Sequence, residues 1–400
     1  MRALVAAVLA VGVADWPQWR GPARDGALSA PLARAWPASL RPAWKAAAGI
    51  GHSSPVVAGG RVYLFARLGE EETLQAFDLA SGRRLWQQGY PAPYRVNMAA
   101  SAHGKGPKAT PTVADGRVFT LGIDGVLSAY DAGAGRLLWR KAFGKELGAS
   151  SPEFGAAQSP LVDGGRVIVH VGGEGKGALA AFDAATGALA WSWKGDGPGY
   201  ASPVLATIGG ARQVVSLTER HMVGLAADQG QLLWQIPFTT AYDQNVVTPV
   251  VLGDLVVYGG IDQPLRAVRV TRAGARWSTA PAWENAEVSV YMSTPVLAGG
   301  RLVGLSHRKK GQFFAVDPGS GRTLWLSEGR QGENAALVAA GTTVLALTTE
   351  AELLVADTAG PAFKVVQRYT VAESATWAHP AITADGVLVK DADSLAYLRF

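Results

Sequence analysis

One eleven-residue phrase returns four times along this chain and limits what the chain can become. It reads AFDLASGRRLW at 76–86, AYDAGAGRLLW at 129–139, AFDAATGALAW at 181–191 and AVDPGSGRTLW at 315–325. Each copy has Ala, Asp two residues later, Gly four further on and Trp four after that. A unit repeated this often is expected to stack on its own copies, because one supersecondary unit cannot bury its apolar surface alone. Tryptophans that end apolar runs extend the series. Trp44, Trp86, Trp139, Trp191, Trp234, Trp277 and Trp325 are separated by 42, 53, 52, 43, 43 and 48 residues. A second series keeps step with them: SPVV (54–57), TPTV (110–113), SPLV (159–162), SPVL (202–205), TPVV (248–251), TPVL (294–297) and an altered HPAI (379–382). The gap of 85 residues between Pro295 and Pro380 leaves room for one more copy, and AALVAAGTTVLAL (335–347) fills it with Ala336 in place of Pro.

Within each unit the order is constant: a short apolar strand after the Pro, a Gly turn, a second apolar strand, a loop, a third strand ending in Ala-x-Asp, a Gly turn, and a fourth strand carrying Trp. Alternating apolar strands with Gly and Asp turns, and no helix-period stretch, predict an antiparallel meander. Four strands in about 45 residues, repeated, predict the blade of a β-propeller. The phrase then has a structural meaning. Asp78, Asp131, Asp183 and Asp317 can accept backbone N–H bonds in the turn to the fourth strand. Gly82, Gly135, Gly187 and Gly321 can take the positive φ that such a turn demands. Trp86, Trp139, Trp191 and Trp325 can lay a flat ring over the seam to the next blade, and the small Ala76 leaves space for one. The count is eight blades. Phe363 is expected to replace Trp in the seventh, and the unit from Trp377 to Phe400 supplies only three strands. RPAWKAAAG (41–49) precedes any first strand, so it is expected to complete the last blade and close the ring, removing the exposed sheet edges. The fold class is an all-β, eight-bladed propeller of four-stranded antiparallel blades, a single domain over 15–400.

Composition narrows the classes. A hydrophobic fraction of 48% and a charged fraction of 17% describe a globular chain with a large core. The net charge of +5 is scattered, its densest run being Arg308-Lys309-Lys310, and no basic stripe of a nucleic-acid binder is present. The absence of Cys excludes disulfides, thiolate metal sites, a thiol nucleophile and a lipid-modified N-terminal Cys. MRALVAAVLAVGVA (1–14), with one early Arg, an apolar run and small residues before Asp15, reads as a secretory signal removed after Ala14. No other segment reaches the ~20 apolar residues of a membrane span, so a periplasmic or secreted monomer is expected.

The AxDxxxGxxxW phrase with SPxV strand starts resembles the tryptophan-docked blades of the pyrroloquinoline-quinone (PQQ)-like propeller superfamily, and DWPQWRGPARDG (15–26) resembles the N-terminal segment of its exported bacterial members. The resemblance covers the whole mature chain. Four copies are intact, whereas GLAADQGQLLW, AVRVTRAGARW and the seventh blade depart from the pattern at Asp or Gly. The superfamily implies two functional classes. Quinoprotein alcohol and glucose dehydrogenases hold PQQ and Ca²⁺ over the axis with an Asp base, many with a disulfide between adjacent cysteines. The lipoprotein component of the outer-membrane β-barrel assembly machinery is a scaffold. Without Cys this chain cannot make that disulfide, its loops are short, and no position carries a Ca²⁺ ligand set or catalytic Asp across. A non-catalytic module that recognises a protein or glycan partner is therefore expected, with no catalytic residue, metal or cofactor. The alternative is a PQQ- and Ca²⁺-dependent alcohol or sugar dehydrogenase.

A recognition site is expected at one mouth of the central channel. The residue three before each strand-start Pro occupies an equivalent rim position in every blade, giving His52, Lys108, Ala157, Tyr200, Val246, Met292, Glu333 and Trp377. Polar Gln158 and Asn245, beside Ala157 and Val246, are taken with them. These identities differ from blade to blade, where a purely structural position would repeat. The long loops 87–109 and 140–158 add Tyr94, Arg95, Asn97, His103, Lys105 and Glu153, and His307 to Lys310 approach from blade six. None of His103, His170, His221 and His379 has a second His or carboxylate at metal-ligand spacing, so satisfied loop histidines are expected. GGEGKG (172–177) lacks the strand-to-helix context of a phosphate loop and reads as a turn. No Ser/His/Asp order suggests a hydrolase.

Overall fold

The computed structural model describes residues 15–29, 32, 35–147 and 151–400, so the signal expected at 1–14 lies outside the described residues. Among the described residues the strands form eight four-stranded sheets. The first blade is Val56–Ala58, Arg61–Leu68, Glu71–Asp78 and Arg84–Pro91, paired antiparallel in that order. The inner strands of the next six blades are Thr112–Ala114, Leu161–Asp163, Val204–Ile208, Val250–Leu252, Val296–Ala298 and Ala335–Ala340. The eighth blade has Ala381–Ile382, Gly386–Lys390 and Ser394–Arg399, and its outer strand is Arg41–Ala47 from the other end of the chain. Trp44 stands opposite Tyr397 across that pair, with ring centroids 6.0 Å apart. The expected closure of an eight-bladed ring is thus what the chain forms.

Each seam is made by the outer strand of one blade and the hairpin of the next. The Ala of the phrase faces the Trp of its own outer strand, as in Ala76 with Trp86 and Ala181 with Trp191, and a bulge follows immediately after the Ala. The indole then reaches forward onto the following blade. A Cβ placed on Gly135 would lie 2.5 Å from the ring of Trp86, and one on Gly321 2.5 Å from Trp283. With φ near +72° at both positions, glycine is required twice over, for the backbone and for the ring. The indole N–H groups of Trp44, Trp139, Trp191 and Trp283 donate to the carbonyls of Leu79, Ala184, Ala227 and Pro318, at 2.8–3.2 Å. The Asp residues do what their short side chains suggest. Asp78 accepts the Ser81 amide at 2.9 Å and hydroxyl at 2.6 Å, Asp131 accepts the Ala134 amide at 2.7 Å, and Asp183 and Asp317 repeat the pattern with Thr186 and Ser320.

Three seams depart from the phrase. In blade five the third and fourth strands run on to Leu265–Ala273 and Arg276–Asn285, so the Trp opposite Ala267 is Trp283 rather than Trp277. Trp277 instead packs from blade five into the core that holds Trp234. In blade seven the position opposite Val355 is Gln367, so Phe363 does not replace the Trp. Phe363 stacks on Phe313 at 4.1 Å and leans on Trp325 at 5.8 Å, covering the seam from the far side. Between blades seven and eight the N-terminal stretch intervenes. Gln367 and Tyr369 both donate to the Pro37 carbonyl, and Trp36 meets Phe400 edge-on.

The closing strand and the turn carboxylates each carry a measurable consequence. Trp44→Ala removes a buried indole at the closing seam and is expected to cost about 3–5 kcal/mol, read as a lower urea midpoint. Deleting residues 15–50 should abolish cooperative unfolding, and a truncated chain that melted like full length would show that the ring needs no clasp. The Thr186 hydroxyl and amide hold the Asp183 carboxyl below its ordinary range. That stabilisation is present above the unfolded carboxylate pKa of about 3.9 and is lost as pH falls through the folded value. Asp183→Asn should therefore lower the midpoint at pH 7 and matter progressively less in acid.

Candidate functional site

The segment after Asp15 decides the shape of the channel. Trp16 exchanges both backbone hydrogen bonds with Val57 on the inner strand of blade one, at 2.9 Å, and Pro17 accepts the Val113 amide of blade two at 2.8 Å. On the opposite wall Leu28 donates to Ala339 and Ala339 to Gly26. Arg20 donates to the Pro295 carbonyl at 2.7 Å, and Arg24 to Pro160 at 2.7 Å and Ser159 at 2.9 Å. DWPQWRGPARDG is therefore a plug tied to the inner strands of blades one, two, three, six and seven. It turns the mouth above it into a blind cup of about 480 Å³, with Trp19 and Arg20 on its floor.

Seven of the eight positions expected at the rim line this cup: His52, Lys108, Ala157, Tyr200, Val246, Met292 and Trp377. Glu333 does not. It is exposed, and its neighbour Asn334 takes the place in the wall. Gln158 and Asn245 are fully buried behind the rim as staples. Gln158 donates to the Gly199 carbonyl at 2.5 Å, and the Asn245 amide reaches the carbonyls of Thr218, Glu219 and Phe238 at 2.8–3.0 Å. Of the loop residues, His103 joins the lining; Tyr94, Arg95, Asn97, Lys105, Glu153 and His307 to Lys310 stay out of it. His103 sits edge-on to Trp377 at 4.8 Å and to His52 at 5.4 Å, a corner of three rings. The serines and threonines before each Pro, which sequence reasoning noticed without assigning them a task, form a belt beneath the rim. The amides of His379, Ser54, Thr110, Ser159 and Thr248 donate to the hydroxyls of Ser54, Thr110, Ser159, Ser202 and Thr294, each one blade ahead, at 2.8–3.2 Å.

The electrostatics of the cup are one-sided. No Asp or Glu is among its described lining residues. Lys108 places its ammonium 2.6 Å from the Phe154 carbonyl, and burial pulls its pKa down to about 8. Burial also draws Arg20 down to about 10, with Asp25 opposing, and Arg24 to about 9, with Arg20 adding to the effect. His52 is brought down to about 4, first by burial and then by His103. It is neutral at pH 7 and donates its Nε2–H to the His103 carbonyl at 3.0 Å. His379, in the wall between Trp16 and Trp19, is likewise held near 4 by burial and by Arg20. Ca²⁺ takes six to eight oxygen ligands, carboxylates prominent among them, and a wall without carboxylates does not fit it. Among the described residues no group of three or more His, Asp or Glu could hold a metal ion. His170 faces the Asp196 carbonyl at 3.1 Å and His221 its carboxylate at 2.9 Å. GGEGKG is a hairpin turn between paired strands.

A family model described as outer membrane protein assembly factor BamB matches residues 35–106 and 70–327. The curated proteins that match are of the same description. The one from Shewanella oneidensis is 27% identical over 214 residues, covering 49% of this chain and 50% of that protein. The one from Yersinia pestis is 26% identical over 232 residues, covering 55% and 50%. The chain thus spans about half the length of the curated relatives it matches. Among solved structures, BamB from Moraxella catarrhalis superposes with a TM-score of 0.64 at 16% identity, covering 91% of this chain and 98% of that one. Quinohemoprotein alcohol dehydrogenase from Comamonas testosteroni gives 0.68 at 14% identity, covering 96% and 80%. These two likenesses speak for the fold alone.

The depressed lysine at the mouth can be seen directly. After reductive methylation with ¹³C-formaldehyde, the Lys108 resonance is expected to titrate near pH 8, whereas exposed lysines titrate near about 10.4. A Lys108 signal that moves with the surface lysines would place its ammonium in open solvent.

Proposed function

The chain belongs to the PQQ-like β-propeller family described as outer membrane protein assembly factor BamB, and from that premise we propose that it is a non-catalytic scaffold of the cell envelope. In this reading it is a periplasmic or secreted monomer that holds a protein partner at the channel mouth. The observation that carries the reading is the family match, which runs through most of the ring. The rim supports it, because its eight blades present eight different residue types there, with Asn334 standing in for Glu333. A face that served only to close the ring would repeat one small residue, as the Ser/Thr belt beneath it does. Recognition surfaces favour unlike, ring-bearing and cationic side chains instead. Fold alone leaves chemistry open, so the dehydrogenase alternative is judged at the cup, whose carboxylate-free lining disfavours a PQQ–Ca²⁺ pair.

The test pairs capture with turnover. Wild-type protein incubated with a native envelope fraction should retain outer-membrane assembly components. A variant with His52, Lys108 and Trp377 all changed to Ala should lose them while melting as before. Dye-linked alcohol oxidation after addition of PQQ and Ca²⁺ should stay at background. Turnover there would replace the scaffold reading, and a captured species that survives protease but not glycosidase would make the partner a glycan.

A further inference from the structure

We propose that the blind cup binds a small ring-bearing carboxylate, either an aromatic acid or a uronic acid. The inference goes beyond the scaffold reading and does not depend on it. The cup's volume of about 480 Å³ falls in the range of sites for small organic ligands. Its lining includes the indoles of Trp19 and Trp377, the rings of Phe154, Tyr200 and Tyr291, and among the described residues no carboxylate. A ring can stack on such walls, whether it is an arene or the C–H face of a sugar.

The charge comes from one side. The Lys108 ammonium has three N–H donors, and among the described residues its one hydrogen bond is with the Phe154 carbonyl. It shares the lining with His52 and His103 and, after burial, adds to what disfavours their protonation. On the floor, the Trp19 indole N–H and the Arg20 Nε–H are buried without an acceptor among the described residues. Buried donors left unpaired are costly, and an anion that accepts from them relieves that cost. A carboxylate offers two acceptor oxygens to such donors. Phosphate dianion, heavily hydrated, would need more converging donors than an aromatic wall offers. The lip carries a further sign of a docking site. Tyr242, a lining residue, is 80% exposed and left-handed, with φ +59°. Non-glycine residues held in this backbone region cluster at active sites and ligand clamps.

The experiment is calorimetric titration of the full chain with 4-hydroxybenzoate and with glucuronate, against the neutral counterparts 4-hydroxybenzamide and glucose. At least one acid should bind with one-to-one stoichiometry, about tenfold or more tighter than its neutral counterpart. The acid that binds better names the source. Lys108→Met, which keeps the apolar stem, should weaken that acid by about tenfold or more at an unchanged melting temperature. Trp377→Leu should weaken the acid and its neutral counterpart alike. Neither acid exceeding its neutral counterpart overturns the proposal, and so does a Lys108→Met protein that melts normally and binds like wild type. Should Lys108→Met melt abnormally, the acid-against-neutral comparison on wild type decides alone.

Discussion

The structure depends on one contact: an indole on the outer strand of a blade lying flat on a glycine in the hairpin of the next. Three conditions must hold together for the ring to fit. The residue opposite the Trp must be small, as Ala76, Ala129 and Ala181 are. The bulge beside it must swing the outer strand, a known means of re-aiming a side chain. The receiving residue must lack a Cβ and hold a left-handed turn. The carboxylate in that turn is the least essential part. Blade four has Ala226 where the Asp would stand, yet Gly230 still donates to its carbonyl at 2.8 Å and still receives Trp191. Beneath the rim, the hydroxyl-to-amide belt of the Ser/Thr-Pro starts ties the same blades near the axis. At five of the eight seams a blade is thus fixed to the next at both radii, and its register and tilt follow.

The irregular seams show that filled volume is required there, with the motif as only one means of filling it. Where the receiving hairpin has no glycine in place, in blades five and seven, the following blade sends an aromatic back: Trp277 beside Trp234, and Phe363 against Trp325. Where the seventh blade has no indole, Pro37 and Trp36 arrive from the N-terminal stretch. This sets the limit of what could be read from the sequence. Copies with the full eleven-residue spacing revealed fold, blade count and turn chemistry. The spacing misled at Trp277 because the longer hairpin of blade five carries the outer strand past it before it meets Ala267. It misled at Phe363 because a ring that covers a seam from the receiving side need not stand on the pairing register at all.

Counting back from each Pro reaches seven residues that line the cup, because an inner strand that starts at a fixed residue presents its approach loop at a fixed place. The two polar neighbours stand behind the lining for an elementary reason. Successive residues of an extended chain point to opposite sides, so if Ala157 and Val246 face the cup, Gln158 and Asn245 face the protein. The same alternation explains Glu333. The inner strand of blade seven begins at Ala335, earlier relative to the pattern than its fellows, and Asn334 turns inward instead. The plug was beyond reach of pattern reading. Its arginines bond backbone carbonyls far along the chain, and carbonyls leave no mark in a sequence.

That plug connects the architecture to the chemistry at the mouth. An eight-bladed ring leaves an axial channel, and short loops cannot roof it. Filling it from one end with Arg20 and Arg24 seals the channel, but it also introduces two cations whose hydrogen-bond partners there are neutral. Burial disfavours their charge and lowers both pKa values, yet at about 10 and 9 they stay protonated near pH 7. With Lys108 and Arg20 both in the lining and no carboxylate among its described residues, the cup carries like charge in a partly desolvated space, where Coulomb interactions are weakly screened. Anything that enters must then either lack charge or bring a negative one, and closing the ring from within is what gives the mouth that preference.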